Sequence, residues 1–145
     1  MDSENYDALK LENQLCFPLY ACAREVVKKY KPFLDGIDLT YTQYVTMMVL
    51  WEKGSATSKE IGEKLHLDSG TLTPVIKKLA EKGLVTRERA RDDERNLLVT
   101  LTGAGEALKR RAAAIPAQMG GCIRMDPRDA AELYALLYKL MGALE

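Results

Sequence analysis

Leu84-Val85-Thr86-Arg87-Glu88-Arg89, Ala90-Arg91-Asp92-Asp93-Glu94-Arg95 and Asn96-Leu97-Leu98-Val99-Thr100-Leu101-Thr102 form one continuous stretch whose reading decides the fold. Residues 84–89 read as a strand. Leu97, Val99 and Leu101 alternate with more polar neighbours and read as a second strand. The charged residues between them make an exposed tip, so the pair is a hairpin.

Upstream of the hairpin, a helix is expected from a cap at Asp68 or Ser69 to Lys82, with Gly83 as its stop. Leu72, Val75, Ile76 and Leu79 follow the i, i+3, i+4, i+7 spacing of one buried stripe. Thr73, Lys77 and Lys78 then face outward, and Pro74 costs one backbone bond, which predicts a slight kink near the helix start. Ser58 precedes a short helix over 59–65. Thr42 is the expected cap of a helix over 43–52, ended by Gly54. Residues 9–31 read as a long helix ended by Pro32 and Gly36, which Pro18 either opens or kinks.

Downstream, Thr102 is expected to cap a helix from about residue 103 to beyond Ile115, interrupted or kinked by Pro116 and Gly120-Gly121. Asp126-Pro127 starts a last helix whose Leu133, Leu136, Leu137, Leu140 and Leu144 form a stripe. The chain therefore reads as mainly α with a small β wing. Residues 37–102 make a winged helix-turn-helix, and 9–36 and 103–145 are dimerisation helices. The outer stripes exceed what a three-helix core buries, so a second copy is expected to cover them.

The 145 residues are 47% apolar, enough for a real core and too apolar for a disordered chain. No stretch approaches the roughly 20 apolar residues of a membrane span, and no secretory signal is visible. Three cysteines without regular spacing do not make a disulfide scaffold, so a reducing cytoplasm is expected. Net charge is zero, but phosphate binding needs a local patch and not a basic total. Lys77 to Arg95 holds seven basic and five acidic residues, which marks that segment as the phosphate-binding face.

Asp93-Glu94-Arg95-Asn96-Leu97-Leu98-Val99-Thr100-Leu101-Thr102 resembles the D-x-R-x-x-x-V-x-L-T wing signature of the MarR family of bacterial regulators. Leu67-Asp68-Ser69-Gly70-Thr71-Leu72-Thr73-Pro74 resembles the recognition-helix start of that family's OhrR branch. Leu11-Glu12-Asn13-Gln14-Leu15-Cys16-Phe17, with Tyr20 and Tyr30-Lys31-Pro32, resembles the branch's sensing region. Pro18 departs from the apolar residue expected there. The resemblance implies a dimeric repressor whose reduced form binds a palindromic operator. Organic hydroperoxide releases it and switches on a peroxide-detoxifying gene.

On the recognition helix, Ser69, Thr71 and Thr73 are short donors and acceptors suited to base edges, or to a phosphate at the helix N-terminus. Lys77 and Lys78 suit backbone phosphates. The plainer alternative is a capping serine and a solvated lysine face. On the wing, Arg95 is the expected minor-groove reader, because a narrow groove attracts a guanidinium. Asp93 is placed to orient it, and Arg87, Arg89 and Arg91 add phosphate contacts. The alternative for Asp93 and Arg95 is a surface ion pair worth less than roughly 1 kcal/mol.

Cys16 has two readings. A cysteine in an apolar stretch is usually a small hydrophobe. Near a helix N-terminus it is also a candidate reactive thiolate, which peroxide converts to a sulfenic acid. Tyr20 and Tyr30 supply phenol hydroxyls on the same element. Cys16 and Tyr30 are fourteen residues apart, roughly 21 Å along a helix, so Tyr30 can serve Cys16 only from a partner chain. The resemblance implies that crossing for both tyrosines. Leu15, Phe17, Leu19 and Met47 are candidate apolar neighbours that favour organic peroxides. Cys22 reads as packing. The branch includes one-cysteine sensors, which need an outside thiol, and two-cysteine sensors with a resolving cysteine near the position of Cys122. A Cys16–Cys122 disulfide between subunits is favoured over an inert Cys122, with an outside thiol as the other partner.

No catalytic set, metal site or cofactor is expected. Cys16, Cys22, Cys122 and His66 lack short metal-ligand spacing. Two rivals remain: a thiol peroxidase using Cys16, which leaves the winged helix unexplained and finds no partner in His66, and a repressor released by a small aromatic ligand.

Overall fold

Helix α1 (Cys16–Asp35) starts later than the expected residue 9. Two 3-10 turns, Asp7–Leu9 and Leu11–Asn13, precede it. The Asn13 side-chain amide donates to the Asp7 carbonyl at 2.7 Å, and that of Gln14 to the Ala8 and Lys10 carbonyls at 2.6 and 2.9 Å. These side chains occupy carbonyls that a continuing helix would have used. Pro18 is the third residue of α1, where its missing N–H leaves no gap. Pro32 does not end the helix: it removes one bond near an exposed C-terminus, and α1 continues to Asp35. The computed structural model describes residues 4–90 and 93–145, without the side chains of 90–95, and resolves into two compact units, Met1–Ile115 and Pro116–Glu145.

Helix α2 (Tyr41–Lys53) is capped by Thr40, not Thr42. The Gln43 N–H donates to Thr40 Oγ1 at 3.3 Å, and the Thr40 N–H to Gln43 Oε1 at 3.1 Å. This reciprocal pair satisfies two otherwise orphaned donors. A short strand, β1 (Ser55–Thr57), follows, and Thr57, not Ser58, caps α3 (Ser58–Leu65). Asp68 caps α4 (Ser69–Glu81), whose Leu72, Ile76 and Leu79 are buried as the stripe predicts. Gly83, at φ +75°, turns the chain out of α4, a left-handed conformation that costs glycine nothing.

The hairpin is β2 (Val85–Ala90) and β3 (Asp93–Leu101), with a register irregularity between Arg89 and Ala90. The sheet is antiparallel in the order β1-β3-β2, with Ala56 opposite Val99 and Val85 opposite Leu101. Met47, Leu50, Ile61, Leu72, Ile76, Leu79 and Val99 form the fully buried core beneath it. Helix α5 (Gly103–Ala112) is capped by Thr102, as read from the sequence. A Cβ at Gly105 would lie 2.1 Å from the Leu84 carbonyl oxygen, so only glycine lets α5 approach the sheet this closely. The Trp51 indole N–H donates to the Gly105 carbonyl at 2.9 Å and fixes α2 against the same point.

Helix α5 stops at Ala112, four residues before Pro116, whose ring would clash with that carbonyl in a continuous helix. A new helix, α6 (Ile115–Cys122), contains Gly120 and Gly121 without interruption. A glycine in a helix costs only about 1 kcal/mol relative to alanine. Asp126 caps α7 (Pro127–Ala143), which buries none of its residues. Leu133, Leu136 and Leu144 of the expected stripe are 44%, 60% and 75% exposed. Among the described residues, no helix is long and apolar enough to cross a membrane.

Candidate functional site

The first two turns of α4 carry Ser69, Thr71 and Thr73, all exposed, followed by exposed Lys77 and Lys78. Asp68 accepts the Thr71 N–H at 2.7 Å. That bond first, and the Thr71 hydroxyl second, hold the Asp68 carboxyl below the usual carboxylate range. Ser69 is thus the first helical residue and not the cap, which leaves its hydroxyl outside the capping arrangement. The Thr73 hydroxyl donates to the Ser69 carbonyl at 2.6 Å, which leaves its oxygen as an acceptor. Lys78 pairs with Glu81 at 3.4 Å, an exposed contact of little energetic weight. Among the described residues no carboxylate lies within ion-pair distance of Lys77.

Arg87 and Arg89 are exposed and lie opposite Val99 and Leu97. They share the face that packs into the core at Val85. Arg91 lies outside the described residues, as do the side chains of Asp93 and Arg95. Sequence reasoning missed what aims the wing. Asn96 Oδ1 accepts the Ser58 hydroxyl at 2.9 Å and the Lys59 N–H at 3.1 Å, and Ser58 Oγ accepts the Leu97 N–H at 3.0 Å. The base of the wing is therefore stapled to the start of α3. Only the polar Asn96 inside the wing signature could have hinted at it.

Cys16 is exposed and is the first residue of α1, among helix N–H groups that lack internal partners. Leu15 and Phe17 beside it are 83% and 43% exposed, and a shallow groove lined by Lys10, Leu11, Glu12, Gln14, Phe17 and Pro18 adjoins it. Met47 is elsewhere: it is fully buried in the core and is no neighbour of the thiol. Cys22 is exposed and so is not packing within this chain, because α1 buries only Leu34. Cys122, at the end of α6, is also free and exposed.

The two tyrosines separate. Tyr20 is exposed beneath the Arg24 guanidinium, 5.5 Å from its ring centre. Tyr30 joins Tyr41 and Tyr44 of α2, with ring centres 5.0 and 5.9 Å away. Burial, then the neighbouring Tyr30, pushes the Tyr41 and Tyr44 phenols above their ordinary range. They are therefore O–H donors at neutral pH. No hydrogen bond joins Cys16 to Tyr20 or Tyr30 among the described residues; for Tyr30, fourteen residues along the same helix, the helix arithmetic requires this. His66 ends α3 in a left-handed conformation at φ +55°, its N–H donating to the Gly62 carbonyl. Among the described residues, no three His, Cys, Asp or Glu side chains converge to hold a metal.

A hydroxyl-bearing helix start beside a stapled two-stranded wing makes this chain a winged helix-turn-helix protein. Residues 28–111 match the family model of the transcriptional regulator SarA/Rot. The organic hydroperoxide resistance transcriptional regulator of Bacillus subtilis is 47% identical over 139 residues, which cover 96% of this chain and 95% of that protein. The structure of reduced AbfR bound to DNA superposes with a TM-score of 0.80 at 32% identity, covering 96% of this chain and 95% of that one. Disulfide-formed AbfR superposes less well, with a TM-score of 0.60 at 34% identity over 94% and 90% of the two chains; AbfR is from Staphylococcus epidermidis. The chain belongs to the MarR family of transcriptional regulators, in its OhrR-type branch.

Proposed function

We propose that this chain is a cytoplasmic redox-responsive transcriptional repressor that binds a palindromic operator as a homodimer. Its domains follow the boundaries read from the sequence: 37–102 bind DNA, while 9–36 and 103–145 pair with the second copy. In each subunit α4 enters the major groove, with Ser69, Thr71 and Thr73 toward base edges and Lys77 and Lys78 on phosphates. The wing follows the backbone, with Arg87, Arg89 and Arg91 on phosphates and Arg95, oriented by Asp93, in the minor groove.

The observation that carries the redox reading is the exposed Cys16 thiol at the first position of α1, beside helix N–H groups that lack internal partners. The thiolate attacks the outer oxygen of an organic hydroperoxide, the O–O bond breaks, and alkoxide leaves and takes a proton. Cys16 becomes a sulfenic acid. The Cys122 thiol of the other subunit then attacks that sulfur, forming a disulfide and releasing water. Tyr20 and Tyr30 act across the dimer interface as hydroxyl donors to the Cys16 sulfur, Tyr30 backed by Tyr41 and Tyr44. Relatives support this reading: one is named for organic hydroperoxide resistance, and AbfR has been solved both reduced on DNA and as a disulfide. The proposed role is regulatory and needs no catalytic turnover.

Operator binding with and without an organic hydroperoxide, for the unaltered protein and for Cys16→Ser, tests the proposal. Release of the unaltered protein alone is expected. Equal release of Cys16→Ser would reject the sensor role.

A further inference from the structure

The turn between α1 and α2 is held by two cations from different helices. The Arg111 guanidinium of α5 donates to the Gly36 carbonyl. The Lys82 ammonium, at the end of α4, donates to the Asp38 carbonyl and, at 3.0 Å, to Gln43 Oε1, with the Asp38 carboxylate 3.7 Å away. Gln43 Oε1 is the same oxygen that accepts the Thr40 N–H in the α2 capping pair. Lys82 is therefore built into the turn that follows α1 as well as the start of α2. Its side chain is only 26% exposed, although a cation near a helix N-terminus opposes the helix dipole. Asp38 takes a left-handed conformation at φ +53°, which sets its carbonyl in the turn. Among the described residues, Lys82 makes the only side-chain hydrogen bonds from α4 to this turn.

We infer that Lys82 is a positioning residue that ties the turn leaving the sensing helix, and the start of α2, to the end of the recognition helix. It passes movement of α1 to α4, with Arg111 holding the turn to α5. This rests on the redox reading, because that reading supplies the movement. The ammonium touches neither the thiol nor the exposed start of α4. Its loss therefore acts on how strongly oxidation is felt at the operator, and not on oxidation or on the contacts themselves.

The test measures operator affinity of reduced and peroxide-oxidised protein for the unaltered chain, Lys82→Met, Lys82→Gln and Lys82→Arg. Cys16 oxidation is followed by mass. Met and Gln are expected to shrink the ratio of oxidised to reduced dissociation constants by about fivefold or more, and Arg to restore most of it. The Cys16 oxidation rate should stay unchanged. Gln keeps a polar end and guards against a Met variant that fails to fold. An unchanged ratio, even with weaker binding in both states, would show a merely structural lysine and overturn the inference. An unaltered protein that binds DNA and ignores peroxide would instead reject the redox reading, and this inference with it.

Discussion

The Ser58 hydroxyl donates to Asn96 Oδ1 at 2.9 Å, joining the start of α3 to the base of the wing. Asn96→Ala removes that bond and the one from the Lys59 N–H. The expected loss of stability is about 1–2 kcal/mol by denaturant unfolding, since the freed groups can partly turn to water. Operator affinity should fall further than stability accounts for, because the wing loses its aim. A titration at fixed salt that shows full affinity would mean the staple does not position the wing.

Gly105→Ala should be far more damaging than its size suggests. The new methyl meets the Leu84 carbonyl and strains the Trp51–Gly105 bond. Overpacking of this kind costs about 1–3 kcal/mol, and the rigid backbone on both sides puts this site at the upper end. Thermal unfolding followed by circular dichroism checks it.

Lys77 and Arg95 should separate by salt. Lys77→Ala is expected to lower the slope of log affinity against log salt by about one, uniformly across sequences. Arg95→Ala should weaken operator binding while leaving the dimer intact. Equal affinity of Arg95→Ala at matched salt would remove that residue from the interface.

Asp68 makes the acid side of the stability curve informative. Its folded carboxyl is depressed by hydrogen bonds from Thr71. The unfolded chain therefore binds a proton more readily. The stabilisation is complete above the ordinary carboxylate range and is lost as pH falls through the depressed folded value. Asp68→Asn keeps a good cap, so stability at neutral pH should hardly move while the acid-side slope becomes shallower. An unchanged slope would contradict the assignment.

The uncovered leucines of α7 give a test of assembly. Leu133→Glu with Leu136→Glu places charge where the proposed dimer buries apolar surface. Sedimentation should show a shift from dimer toward monomer. A monomeric unaltered protein would end the dimer proposal.

What the sequence revealed was local. Leu72, Ile76 and Leu79 lie within one helix, and the alternation in Leu97, Val99 and Leu101 lies within one strand, so their periodicity was readable. β1 was not, because three residues carry no period and their pairing is with β3 far along the chain. The late start of α1 depends on the side chains of Asn13 and Gln14 folding back on earlier carbonyls, a choice that propensity does not record. Tyr30 was identified, but its companions Tyr41 and Tyr44 sit on another helix. Cys22 reads as packing from its place on another side of the helix than Cys16, but α1 buries only Leu34 within this chain, which a helix's own spacing does not reveal. The wing staple and the Lys82 contacts join residues about forty positions apart, beyond any spacing rule.

Of the twenty residues of α1, only Leu34 is buried, and α7 buries none. In the proposed dimer these helices gain their cover from a second copy, so folding and pairing are one mass-action equilibrium. The melting temperature should then climb with protein concentration. A cell that lets the regulator grow scarce would erode its structure and its grip on DNA together. Abundance would thus act as a second input beside peroxide.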